Sequence, residues 1–192
     1  MGAFNKFRFF TDINYKPHEK QFNFHNSNKR FKILACGRRW GKSLCVAMEC
    51  VQFLLRPNQI GWIVAPTYEL SNKVFKEVYW RLHKELPELI EKSAMSRQLQ
   101  EIRLKNGSII IGKSADNPTS LLGEGLNFLI IDEASRVKQE VWEQALRPTL
   151  TDKRGSTIFI STPKGRNWFY DMFKLGQGGR EDYESWQFPT ST

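Results

Sequence analysis

No apolar run in the 192 residues approaches the roughly 18 that a membrane-spanning helix needs, which argues against a membrane protein. Cysteine is scarce. Cys36, Cys45 and Cys50 cannot all pair, none forms a CxxC unit, and none lies near a histidine at zinc-finger spacing, so neither a disulfide framework nor a zinc site is supported. With 13 Gly and 8 Pro there is no collagen-like or low-complexity composition, and no internal repeat is visible. The opening MGAFNKFRFF lacks the apolar segment and cleavage site of a secretory leader, and Met1-Gly2 lacks the downstream Ser or Thr that myristoylation asks for. These absences predict a soluble protein of a reducing cytoplasm. Acidic residues are in the minority: 29 Lys plus Arg against 20 Asp plus Glu give +9, which makes a polyanionic partner plausible while remaining compatible with a solvated lysine face.

What is present is enough for one domain. Hydrophobic residues make up 40% of the chain, sufficient to bury a core. Residues 1–30 read as a lead-in, with Lys16-Pro17-His18 interrupting any early helix; 31–175 read as the core; 176–192 read as a tail with no complete element. Phe31 to Cys36 predicts a buried strand, followed by a glycine loop and an amphipathic helix with apolar residues at 44, 47/48, 51 and 54/55. Ile60 to Ala65 predicts a second strand, and apolar residues at 70, 74/75, 78 and 82 a second helix. Between 100 and 113 the alternation around Asn106-Gly107 predicts a β-hairpin with a primed turn. Phe128 to Ile131 and Ser156 to Ile160 predict two more buried strands, with helices near 138–147 and 167–175. The fold class is therefore α/β, a mostly parallel central sheet with helices on both faces and a β-hairpin extension.

Gly37-Arg38-Arg39-Trp40-Gly41-Lys42-Ser43 lies between strand and helix, the context a phosphate cradle requires. Its glycines let backbone N–H groups turn toward phosphate oxygens, Lys42 brings a charge to the β- and γ-phosphates, and Ser43 would ligate Mg²⁺. The usual spacing asks for glycine at position 36, where Cys36 stands, so the loop is one residue short. About ninety residues on, four apolar residues end in Asp132-Glu133; the first carboxylate would hold the metal shell and the second polarise a water. The pair predicts nucleoside triphosphate hydrolysis, for which a phosphotransferase would not need a base such as Glu133. Arg38 or Arg39 could supply in cis the cation that offsets charge developing on the γ-phosphate. Trp40 reads more naturally as a packing residue than as a base-stacking one.

The assembled set resembles the N-terminal packaging ATPase domain of the large terminase subunits of tailed bacteriophages. The resemblance rests on Tyr15-Lys16-Pro17-His18 with Gln21, the shortened loop, Ala65-Pro66-Thr67-Tyr68, Ile130 to Ala134, and Ile160-Ser161-Thr162-Pro163-Lys164-Gly165. It implies a RecA-like P-loop NTPase fold, with ATP and Mg²⁺ bound by Ser43 and Asp132. It implies a nucleotide site of Tyr15, Pro17, Gln21, Gly37, Arg38, Arg39, Trp40, Gly41, Lys42, Ser43 and Leu44, with Glu133, Arg38 and Lys42 catalytic. Ser161 and Thr162 would sense the γ-phosphate and couple it to DNA-gripping surfaces. The implied partners are double-stranded DNA, a portal protein, a small terminase subunit and further copies in a ring docked on the prohead, in the host cytoplasm. Leu121-Leu122-Gly123 stands where some terminases carry an arginine reaching a neighbouring subunit, which leaves Arg38 in cis or another basic residue across an interface. The family's C-terminal nuclease does not fit in 192 residues, so a fragment lacking it is expected. The alternative is a helicase-type nucleic-acid-dependent ATPase, to which Ala65-Pro66-Thr67 is equally suited.

Overall fold

The computed structural model describes residues 5–37, 39–96 and 99–189. Two short helices come first. In α1 (Lys6–Asp12) the Asn5 side chain accepts the Arg8 N–H at 3.0 Å. In α2 (Glu19–Asn26) the His18 ring accepts the Gln21 N–H, while the Gln21 side chain accepts the His18 N–H. That reciprocal cap satisfies two otherwise orphaned donors, and Pro17 directly before it separates the helices.

The core then alternates as its apolar pattern dictates: β1 (Phe31–Cys36), α3 (Lys42–Leu54), β2 (Ile60–Ala65) and α4 (Tyr68–Glu85). Next come β3 (Ile90–Met95), β4 (Gln100–Leu104), β5 (Ile109–Ser114) and β6 (Phe128–Asp132). The chain closes with α5 (Gln139–Val141), β7 (Ser156–Ser161), α6 (Trp168–Gln177) and β8 (Tyr183–Phe188). All eight strands form one sheet in the order β3-β4-β5-β2-β6-β7-β1-β8. From β5 to β8 every pairing is parallel, and β4 and β3 extend the β5 edge antiparallel. β1 and β6 are buried along their whole length, as uninterrupted apolar strands covered on both faces must be. One core, with Ile63, Val74, Phe75 and Ile130, fills the α3/α4 face; another, with Leu129, Ile131, Phe159 and Phe169, fills the α6 face. No helix among the described residues is long and apolar enough to cross a membrane. Cys36, Cys45 and Cys50 are free thiols, all buried.

Three local expectations are corrected. The hairpin turn is not primed: Gly107 alone is left-handed (φ 84°), its N–H bonds to the Leu104 carbonyl at 2.9 Å, and the Leu104 N–H bonds to the Ser108 carbonyl at 2.8 Å. This is the three-residue loop with a glycine bulge, which needs only one positive φ where a type I′ turn needs two. The hairpin also gains a third strand, β3. The tail after 176 does form an element, because β8 pairs with β1 from Phe31↔Tyr183 to Cys36↔Phe188 and covers an edge that would otherwise be a row of unpaired backbone groups. The helix near 138–147 is present, but α5 passes after Val141 into a π-helical turn, Trp142–Leu146.

Candidate active site

The loop after β1 is shaped by two left-handed residues, Arg39 (φ 61°) and Gly41 (φ 86°). Gly41 is the N-cap of α3 and offers no side chain to the helix, so the first-turn amides of Lys42, Ser43 and Leu44 carry no side-chain cap. A helix start left open in this way presents N–H groups and the positive end of the dipole to an anion. The φ of 86° favours glycine at 41, and a Cβ there would lie 3.0 Å from Gln21 Nε2, so the Gln21 side chain would have to give by a few tenths of an ångström. Lys42 Nζ donates to the carbonyls of Gly37 (2.7 Å) and Cys36 (3.0 Å), closing the loop on itself. Cys36 occupies the last position of β1, fully buried, with burial pushing its thiol up to about 12. The chain simply remains strand for one residue more, and the loop begins at Gly37, whose N–H bonds to Phe188 O at 3.0 Å. Arg38 lies outside the described residues.

Two strands from β1, β6 ends in the acid pair, with β7 between. Asp132 is 5% exposed and accepts the Glu133 N–H at 2.8 Å. Burial, reinforced by the neighbouring Glu133 charge, pushes its carboxyl up to about 6, against the Glu133 N–H and the positive charges of Lys73 and Lys42. Because β1, β7 and β6 run parallel, the loop after β1 and the acid pair at the end of β6 both lie at the carboxyl-terminal edge of the sheet. Glu133 itself is left-handed (φ 50°, ψ 41°), a conformation that costs a non-glycine residue roughly 1–2 kcal/mol. Keeping a glutamate there, where glycine would relieve the cost, fits a side chain retained for its chemistry.

The residues ahead of β1 meet the loop in part. Gln21 is buried against Gly41, and the exposed His18 ring stands edge-on to Trp40 at 5.1 Å. Pro17 is half-buried just before His18. Tyr15 is turned into the core instead, packed on Phe10 and with its hydroxyl 3.1 Å from His25 Nε2. Trp40 is 5% exposed and stacked on Phe188 at 5.0 Å. Leu44 packs against the cluster of Phe10, Ile13, Tyr15 and Met48, leaving its backbone to face the loop. The side chains of Tyr15, Trp40 and Leu44 are thus used in packing, Tyr15 and Leu44 in the cluster with Phe10 and Trp40 against Phe188. Ser43 is half-buried on the first turn of α3.

At the end of β7, Ser161 donates to Ser135 Oγ at 2.7 Å and accepts the Ser135 N–H at 3.3 Å. Asn167, the N-cap of α6, donates to the Ser135 carbonyl at 3.3 Å, and Ser135 Oγ reaches the Thr162 carbonyl at 3.5 Å. Ser135 therefore ties the turn after Glu133 to Ser161, Thr162 and α6. It was invisible as a functional residue in sequence, although it sits two positions from Glu133. Lys73, exposed on α4, was equally unmarked.

The donors present suit a hard dication. Asp132 is a buried carboxylate with a raised pKa and, among the described residues, no ion-pair partner within 4.0 Å, and Ser43 adds a hydroxyl oxygen. No group of three or more His, Cys, Asp or Glu able to hold a metal occurs among the described residues. Mg²⁺ is commonly held by one or two protein oxygens with phosphates and water completing the shell, so the set fits that ion.

A shortened glycine loop feeding an open helix, an acid pair two strands away and this strand order define a RecA-like P-loop fold. The chain belongs to the terminase large subunit family: residues 33–191 match the family model described as terminase large subunit, T4likevirus-type, N-terminal. It is 35% identical over 189 residues to the large terminase subunit of Thermus phage G20c, covering 90% of this chain and 39% of that protein. It is 34% identical over 149 residues to the large terminase subunit of Escherichia phage T5, covering 77% and 33%. The solved large terminase ATPase domain of Thermus phage P74-26 superimposes with a TM-score of 0.83 at 32% identity, covering 94% of this chain and 84% of that one. The chain spans about two fifths of the length of the G20c relative.

Proposed function

We propose that this chain hydrolyses ATP, with Mg²⁺, to drive double-stranded viral DNA into a prohead, as the ATPase part of a terminase large subunit. The observation that carries the proposal is the open start of α3 at the carboxyl-terminal edge of the sheet, two strands from the buried Asp132 and the left-handed Glu133. Lys42 and the first-turn amides would hold the β- and γ-phosphates, and Ser43 and Asp132 would hold the metal. Bound Mg²⁺ supplies charge neutralisation on the phosphate oxygens. Glu133 takes a proton from water as the water oxygen bonds to the γ-phosphorus and the bridging oxygen departs with ADP. The finger is assigned in cis to Arg38, since Leu122, 58% exposed before Gly123, offers no cation.

Ser161 and Thr162, joined through Ser135 to the turn after Glu133, would carry the loss of the γ-phosphate to α6. The basic surplus would contact DNA phosphates without reading sequence, so duplex binding would weaken steeply with salt. In the cell the chain would work in a ring with the portal protein and small terminase subunit, in the host cytoplasm, and the nuclease would belong to the longer protein. Family membership leaves the helicase alternative without support. Equilibrium binding of Mg·ATP tests the reading: Lys42→Ala is expected to weaken it at least tenfold with an unchanged circular dichroism spectrum. Unaltered affinity would remove the loop from the account.

A further inference from the structure

A second concentration of positive charge lies at the opposite pole of the sheet, where β1 and β7 begin. Lys42 and Gln52 stand at the two ends of α3, ten residues and so about 15 Å apart along the helix axis. A cavity of about 340 Å³ there is lined by Lys6, Lys29, Arg30, Lys32, Arg56 and Arg154, drawn from α1, the segment before β1, β1 itself and the loops after α3 and before β7. The single carboxylate in its wall, Glu49, is already engaged by Lys6 (3.0 Å), Lys32 (3.1 Å) and His25 (2.6 Å). Arg30 is held in place by the carbonyls of Gly155 and Leu150, and Lys29 by that of Glu181. Among the described residues no carboxylate pairs with Arg56 or Arg154.

Two further features point to a missing ligand. Gln52, 2% exposed and lining the same cavity, has a buried Oε1 with no hydrogen-bond partner, and its amide can present either end to a guest. Arg154 is held left-handed (φ 49°) at the cavity wall, an unfavourable conformation for arginine. The carbonyl end of α3 explains a cation at Arg56 but not six converging on one hollow.

We propose that this cavity binds a phosphoryl oxyanion, a second anion site remote from the glycine loop. Arg56 and Arg154 supply the unpaired charge and Gln52 the amide, while Lys6, Lys29, Arg30 and Lys32 form the pre-organised wall.

The probe is orthophosphate, titrated calorimetrically into the chain with and without saturating ADP, and a blunt 20-base-pair duplex in a parallel series. Saturable phosphate binding should persist under ADP and in Lys42→Ala, and should weaken at least tenfold when Arg56→Gln and Arg154→Gln are combined. If the double variant also weakens the duplex, with a salt slope reduced by about 2, the phosphate comes from a DNA backbone; an unchanged duplex affinity makes it a free anion. No phosphate binding under ADP, or binding indifferent to both substitutions, overturns the site. Failure of ADP itself to bind would count against the nucleotide reading alone, because the phosphate titration without ADP reads this cavity through the same substitutions.

Discussion

Asp132 is a carboxyl pushed up to about 6, and in the proposed site its protonation would decide whether Mg²⁺ can be held. Because the raised value belongs to the metal-free state, metal binding must displace a proton at acid pH. Mg²⁺ affinity in the presence of ATP is therefore expected to be level at pH 7.5 and to fall by up to about tenfold per pH unit below 6. Mg²⁺ titrations at pH 7.5, 6 and 5 read this directly, and an affinity flat across that range would separate Asp132 from the metal. Gly41→Ala is expected to weaken ATP binding at least tenfold, since the new methyl meets Gln21 and the φ of 86° disfavours it. These residues were legible in the sequence because each motif is contiguous. Trp40 was read as a packing residue and stacks on Phe188, whereas the packing of Tyr15 and Leu44 into the Phe10 cluster was not legible, since burial depends on partners that lie elsewhere in the chain.

At the scale of elements, α1, α2, β1 and α3 are fastened together by Glu49. Burial alone would raise its pKa, but Lys32, the His25 hydrogen bond and Lys6 outweigh burial and hold the carboxyl well below the usual range. Burial holds His25 below its ordinary value, so the neutral ring donates from Nδ1 to Glu49 and accepts at Nε2 from Tyr15. Glu49→Ala leaves Lys6 and Lys32 without their counter-charge and the His25 Nδ1–H without its acceptor, and is expected to cost about 3–5 kcal/mol in urea unfolding. Both shifts have the same sign for folding. Depressed folded values for His25 and Glu49 give stability that is present above their unfolded values and is lost on acidification. The decline begins below about pH 6.5 for His25 and below about pH 4.5 for Glu49. Urea midpoints measured from pH 8 to 4 check it, and Glu49→Gln should flatten the lower part of the curve. Nothing in the spacing of Lys6, His25, Lys32 and Glu49 announced this cluster, because it joins four elements.

For the whole molecule, the parallel centre of the sheet was legible where strands are continuous apolar runs. The two edges were not: β3 carries a half-exposed, mixed pattern, and β8 alternates Tyr183 and Ser185 inward within a polar tail. A strand of that kind becomes recognisable only once β1 is there to pair with it. Removing residues 183–192 is expected to uncover the β1 edge and the Trp40 face, giving a chain that self-associates more strongly in sedimentation velocity than the intact one. The central claim for the molecule is that an acid at the end of β6 activates water against a triphosphate held by the loop after β1. Single-turnover conversion of γ-labelled ATP, with protein in excess, tests it most directly. The account predicts that Glu133→Gln binds ATP as the parent does but releases labelled phosphate at least a hundredfold more slowly. Equal rates from the two proteins would contradict it.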